Sequence, residues 1–415
     1  MSATLAEVFQ TFGAEYLDAH GLTAPQAKVF RAVLDCRTAA LGGHCLECDA
    51  CGHRDYVYHS CRNRHCPNCQ TRAKEAWSRR RMTELLPVPY AHLVFTLPHD
   101  LNPLAAFHDR WVYDTLMTCV AATLSEFARN PRWLGAEPAF TLVLHTWTQD
   151  LRRHLHVHVL IACGGLDAEG NWVEPKRNPL FLFPIHGLSR VFRAKFLDAL
   201  DAARQAGKLT LDPAATPEAW AERRRRLLRY DWVVYAKTPL GGPAEVLDYL
   251  SRYTHRTAVS NERIVAIRNG DVLLRVRADD SGGKRVIRIP GAVFIGRFLQ
   301  HVLPPGFKRI RHYGLLSPAH KRERLAQARQ VLQVPAPSQL TLEAAEAFMQ
   351  RVAQKDISRC PCCEHGTLRI VAAARPLRRS ASAFLVVASP HIPESAIIAT
   401  WSCTFSKNGV SSQGI

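Results

Sequence analysis

Apolar residues recur at helical spacing near the start of the chain: Leu5, Val8, Phe9 and Phe12 fall on one face of a helical stretch within residues 1–35. Further on the period changes. Residues 92–97 (HLVFTL) predict a strand and residues 104–128 a helix. Residues 140–147 and 155–162 alternate as two strands joined by a polar connection, with Gly164-Gly165 closing the second. Residues 186–230 are mostly helical in pattern and end in the basic run 223–226. A strand at 232–236 and a helix at 245–254 follow. Three short strands at 263–267, 272–277 and 284–289 are then separated by Asn269-Gly270 and Gly282-Gly283 turns, and 294–302 reads as another helix. Strands and helices mix without a regular alternation, which predicts an α+β fold rather than a parallel sheet. No internal repeat is present.

Residues 36–75 break both periods. They are rich in Cys, His, Gly and Arg, the composition of a small module stapled by metal, and a basic helix follows at 73–86 until Pro87 and Pro89 end it. Of the 13 cysteines, seven lie between Cys36 and Cys69, and Cys360, Cys362 and Cys363 form a second group. The N-terminus (MSATLAEVFQ) lacks the basic start of a secretory signal, so a reducing compartment is expected and clustered cysteines read as metal ligands. Cys48-x2-Cys51 and Cys66-x2-Cys69 each direct two thiolates at one ion, and together they predict one closed tetrahedral zinc site. The spacing leaves open a second zinc drawing on Cys36, His44, Cys45, Cys61 and His65, or packing of Cys36 and Cys61 as small apolar groups.

Charge changes the picture next. Lys and Arg number 54 against 36 acidic residues, a net charge of +18, which points to a polyanionic partner. A membrane is the weaker choice, because no apolar run reaches the ~20 residues needed to span a bilayer. Arg62, Arg64, Arg72 and Lys74 surround the second CxxC pair and are candidate phosphate contacts on DNA.

The segment 154–160 (HLHVHVL) alternates strictly, so His156 and His158 share one strand face with His154 beyond them, and Val157 and Val159 face the opposite layer. Two imidazoles side by side on a strand form a two-point clamp for a divalent cation. The third ligand stays open between His145 and Gln149. Mn²⁺ or Mg²⁺ suits polarisation of a phosphate, with imidazole tilting the choice toward Mn²⁺. On the helix expected at 245–254, Tyr249 and Tyr253 stand one turn apart on one face, with Arg252, His255 and Arg256 adding positive charge. Tyrosines at that spacing are commonly packing groups. A separate metal clamp favours the other reading, in which a phenol attacks phosphorus near a cation that stabilises the developing charge.

HLHVH followed by YLSRYTHR resembles the HUH superfamily. More narrowly, the chain resembles the two-tyrosine, rolling-circle insertion-sequence transposases with an N-terminal zinc-binding domain. The likeness is carried by CRTAALGGH (36–44), SCRNRHCPNCQ (60–70), HLVFTLPHDL (92–101), LHTWTQDLRRHLHVHVLIACGG (144–165), YLSRYTHRTAVSN (249–261) and GFKRIRHYGLL (306–316). It covers most of residues 1–370, with His154-Leu155 where the family often has His-Pro, and the tail 376–415 carries no recognisable motif.

The resemblance implies an HUH-type antiparallel sheet flanked by helices, preceded by the zinc-stapled module. It divides the chain into a helix and zinc-binding DNA-binding domain at 1–90, a catalytic domain at 91–320, and a helical CxxC segment with a disordered tail at 321–415. It implies His156 and His158 as the catalytic metal pair, Tyr249 and Tyr253 as nucleophiles, and Arg252 and Arg256 as DNA contacts. The implied partners are single-stranded DNA at element ends and target in a bacterial cytoplasm, associated with the nucleoid. One tyrosine would attack a scissile phosphate, forming a 5′-phosphotyrosine link and freeing a 3′-hydroxyl that can later reseal a strand without ATP. A plasmid rolling-circle replication initiator or relaxase shares this chemistry, and a non-catalytic zinc-dependent DNA-binding regulator shares the charge and the cysteines.

Overall fold

The structure, a computed structural model, describes residues 3–176, 182–209, 216–240, 245, 258–278, 283–337, 343–354 and 356–377, leaving out the side chains of 70–73, 237–240, 345 and 353. The helical stretch at the N-terminus is two helices, α1 (Leu5–Ala19) and α2 (Ala24–Asp35), each started by a reciprocal capping box, Thr4 with Glu7 and Thr23 with Gln26. The cysteine-rich module follows with strands β1 (Gly43–Cys48) and β2 (Arg54–Tyr58) and helix α3 (Gln70–Met82). Next come β3 (Tyr90–Thr96), α4 (Asn102–Phe107), α5 (Asp109–Arg129), β4 (Glu137–Trp147), β5 (Arg153–Leu166), β6 (Trp172–Val173), α6 (Ile185–Gln205), α7 (Pro217–Leu228) and β7 (Val234–Leu240). The chain continues through β8 (Ile264–Arg268), β9 (Asp271–Arg277), β10 (Lys284–Pro290), α8 (Gly291–Leu299), β11 (Ile310–Gly314), α9 (Lys321–Val331), α10 (Ala345–Ala353) and β12 (Leu368–Ala374).

The fold is α+β with antiparallel sheets flanked by helices. The main sheet runs β11-β4-β5-β3-β7, with β6 paired to β5 and every pairing antiparallel. Alternation divides its two faces. Leu93, Phe95, Leu142, Leu144, Leu155, Val157, Val159 and Ile161 join α5 and α6 in the largest apolar cluster, each at most 2% exposed. Full burial of each such side chain contributes ~1.5–3 kcal/mol, so the register of β5 is firmly set. The opposite face is apolar at one end, where Tyr90, Val143, Leu160 and Ala162 pack with Leu325 and Ala328 of α9.

Gly164-Gly165 does not close β5, which continues to Leu166. A Cβ on Gly165 would lie 2.5 Å from the Glu137 carbonyl oxygen, and one on Gly164 would lie 2.5 Å from the Trp172 ring. The glycines therefore mark close approach inside a strand rather than its end.

A second core joins distant parts of the chain. Leu5, Phe9 and Phe12 of α1 and Phe30 of α2 pack with Phe294, Ile295 and Phe298 of α8 and with Ile264, Val272 and Leu274 of the sheet β10-β9-β8. The third sheet is β12-β1-β2, so residues close to both ends of the chain share one small module. Among the described residues, no helix is long and apolar enough to cross a membrane.

Candidate functional site

The alternation of β5 that buries Leu155, Val157 and Val159 turns His156 and His158 to the other face. β4 lies antiparallel beside it, with His145 directly opposite His156 and Val143 opposite His158. A third imidazole therefore reaches the same face from the neighbouring strand. One ring nitrogen from each of His145, His156 and His158 lies within 4.8 Å of the others. The ring centroids are 4.5 Å apart for His145 and His158, 4.9 Å for His156 and His158, and 5.3 Å for His145 and His156.

Neighbouring groups engage the Nδ1 atom of each pair member. His156 Nδ1 donates to the His154 carbonyl oxygen at 3.0 Å, which leaves Nε2 with its lone pair. His158 Nδ1 lies 3.0 Å from Nε2 of His92 on β3, and with His158 Nδ1–H as the donor there it is Nε2 that would face a cation. Burial, with His158 second, pushes His156 well below the ordinary histidine range and holds it neutral, the form that a cation requires. His145 is 5% exposed and stacks on Trp147 at 4.5 Å, and the Arg309 guanidinium lies 5.7 Å from that indole. The donors therefore suit one divalent cation.

Of the two candidates for a third ligand, His145 joins the pair. Gln149 does not: its side-chain oxygen accepts from the Arg277 N–H at 2.8 Å on β9. His154 also stays apart, since its Nδ1 pairs with Nε2 of His99 at 2.9 Å. His92 carries the register of β3 next to β5 but has no special motif around it, and the sequence reading missed it. Tyr249, Tyr253, Arg252 and Arg256 lie outside the described residues.

The cysteines assemble differently from the expected single site. Cys66 and Cys69 meet Cys36 and Cys61, whereas Cys48 and Cys51 meet Cys360 and Cys363. In the first group Cys36 and Cys61 each lie 3.5 Å from the Cys69 sulfur. Hydrogen bonds from Cys61 and Cys66 hold Cys36 far below the usual thiol range, while the partnership with Cys36 pushes Cys61 up to about 12 and raises Cys66. A bound dication would stabilise all four as thiolates. The spacing could have signalled this division, because three CxxC pairs exceed one tetrahedron and Cys36 and Cys61 complete a second.

His65 is not a ligand in either group. It is 5% exposed, its Nε2 accepts from the Leu303 N–H at 3.3 Å, and burial lowers it to about 3. Arg62 is exposed, and Lys74 is half-buried. Arg64 donates to the Phe307 carbonyl at 2.9 Å and so ties the module to the main body.

Comparison with known proteins bears on both centres. Residues 139–324 match a family described as "Putative transposase", and residues 8–97 match one described as "Transposase zinc-binding domain". The histidine cluster and the positions of Tyr249 and Tyr253 fall in the first stretch, Cys36 to Cys69 in the second, and Cys360 and Cys363 in neither. The chain is similar to "Putative transposase y4qJ" of Sinorhizobium fredii, 42% identical over 376 residues, 88% of this chain and 94% of that protein. It is also similar to "Transposase for insertion sequence element IS801" of Pseudomonas savastanoi pv. phaseolicola, 27% identical over 361 residues, 84% of each chain.

Proposed function

Since the chain belongs to the insertion-sequence transposase family with an N-terminal zinc-binding domain, we propose that it cleaves and rejoins single-stranded DNA at element ends through a 5′-phosphotyrosine intermediate, in rolling-circle-type transposition. The observation that carries this reading is the convergence of His145, His156 and His158 on one face of adjacent central strands. Such a clamp is more than a DNA-binding regulator needs, and the relatives favour a transposase over a plasmid replication initiator.

Mn²⁺ or Mg²⁺ held by the three imidazoles would supply Lewis-acid polarisation of a scissile phosphate. The chain's own residues supply position. β5 is clamped between β4 and β3, so His156 and His158 move little, and His92 and the His154 carbonyl fix their rings. Tyr249 or Tyr253 is the nucleophile. Its phenol oxygen gives up its proton and bonds to phosphorus, the bond from phosphorus to the 3′ oxygen breaks, and that oxygen takes up a proton in exchange and leaves as a 3′-hydroxyl. Attack by a second 3′-hydroxyl reverses these changes, reseals a strand and releases the phenol. Two tyrosines allow two such transfers. Arg62, Arg64, Arg72, Lys74, Arg252 and Arg256 grip phosphates, and structural zinc in the cysteine module keeps its basic surface rigid.

The test is cleavage of labelled single-stranded element ends in Mn²⁺, resolved under denaturing conditions. The His156→Ala/His158→Ala double variant is expected to lose cleavage and retain DNA binding that weakens with salt, since affinity comes mainly from many phosphate contacts. Cleavage at the parental rate by that variant would refute the metal assignment.

A further inference from the structure

We propose that Cys48, Cys51, Cys360 and Cys363 form a zinc site of their own, which clasps residues 358–374 onto the N-terminal module. This proposal is independent of the catalytic reading above, and it places two of the ligands outside the stretch matched by the zinc-binding domain.

The sulfurs are spaced for it. Cys48 lies 3.7 Å from Cys363 and Cys51 lies 3.7 Å from Cys360. A tetrahedron with Zn–S bonds of about 2.3 Å has edges of about 3.8 Å, whereas a disulfide would bring two sulfurs to about 2.05 Å.

The backbone is shaped for it as well. Both pairs are C-x2-C turns built alike. Gly52 N–H donates to the Cys48 carbonyl and Glu364 N–H to the Cys360 carbonyl, each at 3.1 Å. The residue after the second cysteine takes positive φ in both, +68° at Gly52 and +60° at Glu364. These turns aim N–H groups at sulfur: Ala50 at Cys48 and Cys362 at Cys360, each at 3.4 Å, and Gly366 at Cys363 at 3.3 Å. Donors of that kind stabilise thiolates. Gly366 also leaves room for the cluster, since a Cβ there would lie 2.3 Å from the Cys48 sulfur.

Apolar packing does not account for the arrangement. Cys51 is exposed, and no residue from 356 to 377 belongs to any of the three apolar clusters. β12 pairs with β1, yet its side chains face mostly outward, so the segment is otherwise held by the hydrogen bonds of one strand pair, the contacts of Asp49 with Thr367 and Arg369, and the Leu377 N–H to the Ala39 carbonyl. Paired strands without a packed face are marginal in water. A structural zinc supplies the missing free energy directly.

Cys362 provides an internal control. It is exposed beside the site but is not a member of it. The experiment is alkylation of the zinc-loaded full chain, read at each cysteine by peptide mass spectrometry, together with metal analysis. Cys362 is expected to react quickly, while Cys51, Cys360 and Cys363 are protected although Cys51 is exposed. A chelator is expected to raise reaction at Cys51 and Cys363 at least roughly tenfold, because the thiolate and not the zinc-bound sulfur is reactive. The parent chain is expected to hold two zinc ions and the Cys360→Ser/Cys363→Ser variant one, with Cys36, Cys61, Cys66 and Cys69 still protected, which shows that the rest of the module is folded. Equal alkylation of Cys51, Cys363 and Cys362 in zinc-loaded protein would overturn the proposal. So would two zinc ions in the double variant.

Discussion

Replacing His92 with Phe removes its hydrogen bond to His158 and keeps an aromatic ring in place. The His92 and His158 rings are nearly parallel, at 15° with centroids 5.3 Å apart, and His92 is 3% exposed. A phenyl ring fills the same slot and keeps the stack, but His158 Nδ1 loses the partner that stands 3.0 Å away. Loss of such an outer partner typically weakens metal affinity ~10–100-fold, equivalent to about 1.4–2.7 kcal/mol. An unsatisfied buried polar group costs about 1–3 kcal/mol, so the two routes agree. The assay is single-stranded DNA cleavage across a Mn²⁺ titration, with thermal melting of the metal-free protein as a control for folding. His92→Phe is expected to raise the half-saturating Mn²⁺ concentration by that factor, while cleavage at saturating Mn²⁺ returns close to the parental rate. A folded variant with unchanged half-saturation would refute the positioning role. Cleavage that no Mn²⁺ concentration restores would instead put His92 in the chemistry itself.

Acid should destabilise the fold from pH 6.5 downward. Burial lowers His301, held by Thr146 and the Leu151 carbonyl, to about 3, and burial with Arg81 and Lys321 lowers His312 to about 4. Because these folded values lie below the unfolded one, the unfolded chain takes up protons first. Their stabilisation is complete above pH 6.5 and declines by about 1.4 kcal/mol per pH unit for each group until its folded pKa is reached. Urea denaturation between pH 7.5 and 5 checks this, and a flat profile would contradict it. Gly291→Ala should destabilise the core shared by α1 and α8 by ~1–3 kcal/mol, because a Cβ there would lie 2.1 Å from the Phe12 ring. An unchanged urea midpoint for that variant would show that Phe12 can move aside freely.

Particular residues show what the sequence made legible. The alternation at 154–160 placed His156 and His158 on one face, and patterning found the small sheet β8 to β10 almost to its observed limits, while β4 and β5 run longer than the expected 140–147 and 155–162. Choosing His145 over Gln149 needed strand register. That register is set by the turn at 148–152, where Thr148 and Arg152 bond to each other and Leu151 takes φ +64°, and no local pattern announces it. The grouping of cysteines was harder still. Cys48 and Cys363 are 315 residues apart in sequence, and spacing alone favoured the nearer partners Cys66 and Cys69. β12 was missed because its exposed residues Ile370 and Val371 do not alternate with polar ones. Gly164 and Gly165 looked like punctuation but serve close packing inside β5.

A tyrosine of this chain is expected to become joined to DNA. Tyrosine differs from phenylalanine only by its hydroxyl, so Tyr→Phe at 249 and 253 removes the proposed nucleophile alone. The most direct measurement is a mass spectrum of the protease-digested adduct formed with single-stranded element ends in Mn²⁺. The DNA is expected on a peptide containing Tyr249 or Tyr253, each single Tyr→Phe variant keeping partial cleavage and the double variant forming no adduct. An unchanged adduct in the double variant, or DNA attached to any other residue, would contradict the account.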